Sequence, residues 1–385
     1  MPLKQIDRTD DDRLNWRYQD KTYNEMFKAW RRKRKDSIGF YYVSKPNELT
    51  YLDGYGFVTD YPEAAERNAL RRVMNVIGVT MMILGIIDLL YKYAVPNLLT
   101  VFGADIYFDK YTKTFYGNEW LILAIDTFFS VIKRLIPLLY VYKKMQMPIK
   151  VMIPTRITNR TLFRYAIPVM LFTAGCCTAA SGVYEQILHF VGIEKDKLFD
   201  IPDSKAVLVL YLTVHIILIP IISEIHTRGA LLQLLRQFGD GFAIVITALL
   251  TSIITYNLST FCYVFVSSLV IGYFTVRTGS VITAILMRIT MAAVSYGVFM
   301  IDEFASEENG GLIVMTVMFV ILAVGLVSFI KLLIEHSNNF SLNFKGRYLS
   351  FTDKCGIIVS SIPVVIGLTI IIIHTIINIT FVMRV

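Results

Sequence analysis

Long, nearly uncharged apolar blocks are what most constrain this chain. They fall at about 74–95, 120–142, 162–191, 206–223, 241–256, 258–276, 281–301, 312–333 and 355–379. A helix of about 20 apolar residues is long enough to cross the hydrocarbon core of a bilayer. Lipid offers no partner for a bare amide, so only helices and closed barrels can cross it. These blocks lack the alternation of barrel strands. An apolar fraction of 55% and a mean hydropathy of +0.55 are too high for an ordinary soluble domain. The expected fold class is all-α, a polytopic transmembrane helical bundle of about nine spans.

The net charge of +8 fits this class and gives no sign of a nucleic-acid partner. Basic residues gather in alternate loops: Arg67, Arg71 and Arg72; Lys143, Lys144, Lys150, Arg156 and Arg160; Arg228 and Arg236; Arg277; Lys345, Arg347 and Lys354. The intervening loops are acidic or mixed, with Asp105 and Asp109, then Glu194, Asp196 and Asp200, then Asp302, Glu303, Glu307 and Glu308. Basic loops stay on the cytoplasmic side. The expected protein is therefore integral to a bacterial cell membrane, with its N-terminus cytoplasmic and its C-terminus outside. The first apolar block is too long and too far in to be a cleavable signal and reads as a permanent anchor. Cys176, Cys177, Cys262 and Cys355 lack zinc-site spacing and read as buried small hydrophobes.

Residues 1–72 read as a cytoplasmic arm of mixed charge. Tyr23 to Arg34 can form a short helix, and Phe40-Tyr41-Tyr42-Val43 and Tyr51-Leu52 read as extended pieces, with Asp53-Gly54 as a turn. The basic block Lys28, Arg31, Arg32, Lys33, Arg34 and Lys35 can lie on an anionic leaflet or act only as a solvated topology signal. Residues 73–205 form a first group of membrane helices, 206–301 a core, and 302–385 a last group.

The densest polar motif in the apolar part is Ser223-Glu224-Ile225-His226-Thr227-Arg228-Gly229. Glu224 and Arg228 are four apart, share a helix face and can pair, as an interfacial salt bridge ending a span would. Arg277-Thr278-Gly279-Ser280 follows later, then a helix with Arg288. Charge inside lipid is costly and marks a site. In order and spacing these motifs resemble the CPBP family, the CAAX-protease and bacteriocin-processing intramembrane proteases related to Rce1-type enzymes. That family carries Glu-Glu-x-x-x-Arg-Gly, then Phe-x-x-x-His, then His-x-x-x-Asn after an Arg-Thr-Gly-Ser-like turn. The resemblance covers roughly residues 206–300 and implies a CPBP-like helical core.

It also implies lost chemistry. The family's first glutamate falls on Ser223, the second motif on Thr251 and Thr255, and the third on Arg288 and Ala292. Only Glu224 and Arg228 remain. Peptide hydrolysis needs a base to activate water and donors for the oxyanion. Serine and threonine cannot replace carboxylate and imidazole, and arginine stays protonated. His215 is expected on the far side of its helix from Glu224, and His226 on a cytoplasmic extension pointing away. His189, His336 and His374 belong to other spans. No metal or cofactor is expected. Arg288 is expected to pair with Glu224, with Ser223, Thr251 and Thr255 supplying hydrogen bonds.

Asp88, Asp126, Lys133 and Arg134 complete the intramembrane charges and read as scattered, without an inverted repeat. The favoured reading is a catalytically inactive scaffold or partner-binding subunit that holds another membrane protein or a peptide. The alternatives are a CAAX-type endopeptidase acting through Glu224 and a transporter component.

Overall fold

A computed structural model of the chain describes residues 49–52, 56–59, 62–109, 115–192, 201–305, 310–336 and 349–378. The basic block from Lys28 to Lys35, the helix read at Tyr23–Arg34, the extended piece at Phe40–Val43 and the turn at Asp53-Gly54 lie outside these residues. Two short antiparallel hairpins hold the strands: β1 (Leu49–Leu52) with β2 (Gly56–Thr59), and β3 (Ile106–Phe108) with β4 (Phe115–Gly117). Helices make up nearly all the rest, in a polytopic all-α bundle.

Helix α1 (Pro62–Leu89) passes through a π-helical turn, Leu90–Ala94, into α2 (Val95–Val101). Then come α3 (Glu119–Met145), the one-turn α4 (Ile149–Met152) and α5 (Arg160–Phe190). A continuous rod follows. It comprises α6 (Lys205–Thr213), a π turn at Val214–Leu218, α7 (Ile219–Glu224), a second π turn at Ile225–Leu231, α8 (Leu232–Leu235) and a 3₁₀ turn at Arg236–Phe238. The chain continues through α9 (Asp240–Ile253), α10 (Leu258–Thr278), α11 (Val281–Phe304), α12 (Gly310–His336), α13 (Phe351–Ser360) and α14 (Ile362–Asn378).

Local sequence sets several of these boundaries. Asn118, Asn159 and Asn257 each accept from the backbone of the first turn they precede, as N-caps do. The Arg277-Thr278-Gly279-Ser280 motif is a stop followed by a start. Gly279 takes the left-handed conformation (φ 72°) that ends α10, and Ser280 Oγ accepts from Ile282 N to begin α11. The preceding loop clamps this turn: Thr158 N and Oγ1 donate to the Thr278 carbonyl, and Val281 N donates to that of Pro154.

The span count departs from nine. Six helical segments among the described residues are long and apolar enough to cross a bilayer: Glu66–Val101, Arg160–Phe190, Lys205–Phe238, Leu258–Thr278, Val281–Phe304 and Gly310–Glu335. A seventh is the pair α13–α14, bent by 73°. The block read at 241–256 forms only α9, 14 residues long. At about 1.5 Å per residue it falls short of a hydrocarbon core of about 30 Å. The block read at 120–142 does form a long helix, α3, but Asp126, Lys133 and Arg134 interrupt its apolar window. The cysteines are all free thiols, yet only Cys177 is buried; Cys176 and Cys262 sit on exposed helix faces.

Two apolar cores hold the bundle. In the first, Leu70, Met74 and Ile77 of α1 pack with Leu234, Phe238 and Phe242. In the second, Leu162 and Met170 of α5 meet Ile271, Phe274, Met287 and Leu332. The outer helix α12 turns Met315, Phe319 and Ile334 outward, as a lipid-facing surface requires. The buried Lys354 of α13 ties the last helices to the rod. Its ammonium donates to the Phe238 carbonyl and stands 3.9 Å from Glu66 Oε1.

Candidate functional site

The rod 205–238 carries the polar motif into the protein interior. Residues 226–235, expected on a cytoplasmic extension, are all buried, His226 among them at 3% exposure. The π turn Ile225–Leu231 packs directly on α4. Gly229 is required there, because a Cβ on it would lie 2.3 Å from the Met152 carbonyl oxygen.

Glu224 and Arg228 are both fully buried. Arg228 Nε stands 3.3 Å from Glu224 Oε2, an ion pair without hydrogen-bond alignment. Arg228 Nη1 donates to Glu224 Oε1 at 3.4 Å, to Thr227 Oγ1 at 2.9 Å and to Thr251 Oγ1 at 3.4 Å, while Nη2 donates to the Ser268 carbonyl at 3.0 Å. Arg288 enters from α11, with its Nε 4.0 Å from Glu224 Oε1. One carboxylate thus faces two guanidinium groups.

The expected hydrogen bonds are only partly present. Thr251 joins the centre through Arg228. Thr255 does not, because it lies in the turn beyond α9 and its hydroxyl donates to the Ser252 carbonyl at 2.6 Å. Ser223 contributes its carbonyl to Thr227 Oγ1, and its side chain has no hydrogen bond to Glu224 or Arg288 among the described residues. Threonine readily donates to the carbonyl three or four residues back, as Thr255 and Thr227 do. Ala292 lies one turn beyond Arg288 on α11 and adds no polar atom. Thr227 and Ser268, which do hold Arg228, were missed. Thr227 is legible as a hydroxyl next to the charged motif; Ser268 holds Arg228 through its backbone carbonyl, which no side chain announces.

The other membrane charges are not scattered. Lys133 Nζ donates to Asp88 Oδ1 at 2.8 Å, and His374 Nε2 of α14 stands 3.4 Å from Asp88 Oδ2. Periodicity within one block cannot show that α1, α3 and α14 converge, so no pattern along the chain groups these residues. Among the described residues, no three His, Cys, Asp or Glu side chains converge with the geometry of a metal site.

Residues 205–294 match the family model described as type II CAAX prenyl endopeptidase Rce1-like. This stretch is an Rce1-like domain. It spans the rod, α9, α10 and most of α11, and so contains Ser223, Glu224, Arg228, Thr251, Thr255, Arg288 and Ala292. The helices α1, α3, α5, α12, α13 and α14 lie outside it. No curated protein and no solved structure matches the chain.

Chemically, the centre is a closed charge cluster. Glu224 is fully buried, with Arg228 Nε 3.3 Å from one of its oxygens and Arg288 Nε 4.0 Å from the other. Arg288 is one-fifth exposed and also points Nη1 at Met291 Sδ, 3.2 Å away. A thioether is a weak acceptor, so the guanidinium keeps strong donors for another group.

Proposed function

We propose that this CAAX-protease-like membrane protein binds a partner, another membrane protein or a membrane-inserted peptide, and does not hydrolyse it. The observation that carries the reading is the fully buried Glu224, held between Arg228 and Arg288. A general base must lie within hydrogen-bond reach of the water or proton it takes, and this carboxylate is buried against two guanidinium groups that stay protonated. Arg288 is the edge of the centre that a partner can reach, and a carboxylate or backbone carbonyl of that partner is the matching acceptor. The protein sits in a bacterial cell membrane with the start of α1 on the cytoplasmic side, in line with the arginines that precede the first apolar block. The block from Lys28 to Lys35 adds contact with anionic lipid.

The test combines a cleavage assay and a pull-down. The full chain in lipid nanodiscs is incubated with a farnesylated CAAX peptide and a panel of unprenylated membrane peptides. No turnover is expected, and a stoichiometric companion is expected on purification from native membrane in mild detergent. Turnover that disappears in Glu224→Gln would replace this reading with that of an endopeptidase acting through Glu224.

A further inference from the structure

The polar interior around Glu224 is short of negative charge. Glu224 is one carboxylate shared by Arg228 and Arg288. A third guanidinium, that of Arg134 on α3, stands near them and brings no carboxylate of its own. Among the described residues it forms no ion pair, and its Nη1 donates to the Ser130 carbonyl, one turn back on its own helix, at 2.8 Å. Arg134 is about 16 Å from the Met145 end of α3 and about 22 Å from the Glu119 end, at about 1.5 Å per residue. The bond to Ser130 draws the guanidinium toward the middle of the helix. A snorkelling arginine would run the other way, to water beyond the nearer end.

Contacts further along the rod set the register of the helices on either side of it. Asp126 of α3 is 3.1 Å from His215 of the rod, and Tyr296 of α11 meets the same imidazole with ring centroids 6.3 Å apart. Eight residues on, about two helical turns, α3 reaches Arg134 and the rod reaches Ser223. The helix α11 runs the opposite way, so eight residues back from Tyr296 it reaches Arg288, whose Nε is 4.0 Å from Glu224 next to Ser223. Arg134 and Arg288 thus flank the rod at one height, within electrostatic reach of each other.

Both guanidinium groups keep donors to spare on an accessible face. Arg288 spends one on the Met291 thioether, 3.2 Å away, and its side chain is 20% exposed. Arg134 is partly exposed as well. Ser223 is half-buried, and its hydroxyl makes no hydrogen bond among the described residues. The acids nearby are committed elsewhere. Asp126 accepts from the Tyr91 hydroxyl at 2.9 Å and faces His215, and Asp88 accepts from Lys133 at 2.8 Å. They act on Arg134 only over a distance. Two like charges held near each other inside a membrane bundle are costly, and a counter-ion offsets that cost.

We propose that Arg134 and Arg288 form a two-arginine clamp for a single carboxylate, with the Ser223 hydroxyl as a further donor. The occupant rests on the partner-binding reading above: it is a carboxylate carried by the membrane-inserted partner. The planar fork of arginine matches a carboxylate with two parallel hydrogen bonds, and one such anion neutralises charge that Glu224 leaves uncompensated. A lipid phosphate is the poorer match, because the clamp lies near the mid-height of α3 and headgroups lie at the bilayer surface. Arg134 is outside residues 205–294 and Arg288 inside, so the occupant joins the Rce1-like domain to α3.

The test uses the full chain, nitrogen-labelled at arginine, in nanodiscs of zwitterionic lipid. The probe is hexadecanoate at mildly alkaline pH, where it is ionised, and hexadecanol is the uncharged control. Hexadecanoate should move the Nε signals of Arg134 and Arg288, assigned by their loss in Arg134→Gln and Arg288→Gln, and should bind at least about tenfold tighter than the alcohol. Each variant should weaken hexadecanoate about tenfold and leave hexadecanol unchanged. The comparison of acid with alcohol on the wild type stands even where a variant fails to fold. Equal affinity for the two would overturn the proposal, as would arginine signals that stay in place at saturating hexadecanoate. Signals that move when phosphatidylglycerol replaces the zwitterionic lipid, with no further change on adding hexadecanoate, would give the clamp to lipid phosphate and overturn it as a carboxylate site. The partner-binding reading fails separately. A companion kept at wild-type stoichiometry by Arg134→Gln sinks the clamp alone, whereas turnover lost in Glu224→Gln sinks the reading while hexadecanoate still marks both arginines.

Discussion

Two polar centres share this helical bundle, and they differ in the base that meets the acid. At the Rce1-like centre Glu224 meets two guanidinium groups. Arginine does not give up its proton in proteins, so this centre has fixed charge. At the seam with α3, Asp126 meets an imidazole and a phenol. His215 stands 3.1 Å from one Asp126 oxygen, and the Tyr91 hydroxyl donates to the other at 2.9 Å. The first arrangement fixes a geometry. The second is more open, with His215 and Asp126 side chains 14% and 20% exposed.

The largest expected effect falls on the closed centre. Arg228→Leu strands Glu224 in the interior and should cost about 3–5 kcal/mol, as breaking one side of a buried ion pair does. The double variant Glu224→Leu with Arg228→Leu removes both charges and should recover most of that loss. Thermal unfolding of the full chain in one detergent measures both. A single variant that costs no more than the double would show that Glu224 is not held by Arg228.

Next in size is a contrast at the other centre. Asp126→Ala leaves the Tyr91 hydroxyl and His215 Nε2 without their partner, an expected cost of about 1–3 kcal/mol. Asp126→Asn keeps an oxygen for the Tyr91 hydroxyl and should cost less than about 1 kcal/mol. Equal losses in the same unfolding assay would remove the distinction drawn between the two centres. Smaller again is Tyr91→Phe, which deletes a single donor and should cost about 1 kcal/mol. Its mark is selective: the His215 imidazole signal should move, while unfolding of the Glu224 centre stays as in the wild type.

The sequence was informative where function and spacing coincide along one helix. The Glu224–Arg228 pair follows from an i, i+4 spacing, and the bundle class follows from block length. The approach of Arg288 to Glu224, from a helix 64 residues further on, came only from the order of motifs shared with a family. What could not be read were backbone departures. No residue pattern announces a π turn, yet three of them aim Tyr91, His215 and Arg228. Hydropathy also counted α9 as a span because it cannot tell a helix buried by protein from one buried by lipid. Asp88 and His374, 286 positions apart in sequence, meet only because α14 folds back along α1.

The smallest effect on folding bears most directly on function. Arg288 stands 4.0 Å from Glu224, is one-fifth exposed, and spends a donor on a thioether. A loose, partly accessible pair contributes little, so Arg288→Gln should lower stability by only about 0.5–1 kcal/mol. If its remaining donors hold a partner's carbonyl or carboxylate, the same substitution should strip the companion from the purified complex, because a partner group left buried without its donor loses far more than the fold does. Arg288→Lys keeps the charge but not the planar fork, and should recover stability without full recovery of binding. A companion retained at wild-type stoichiometry by Arg288→Gln would move the binding surface away from the Glu224 centre, and Arg288 would then serve only to neutralise the carboxylate.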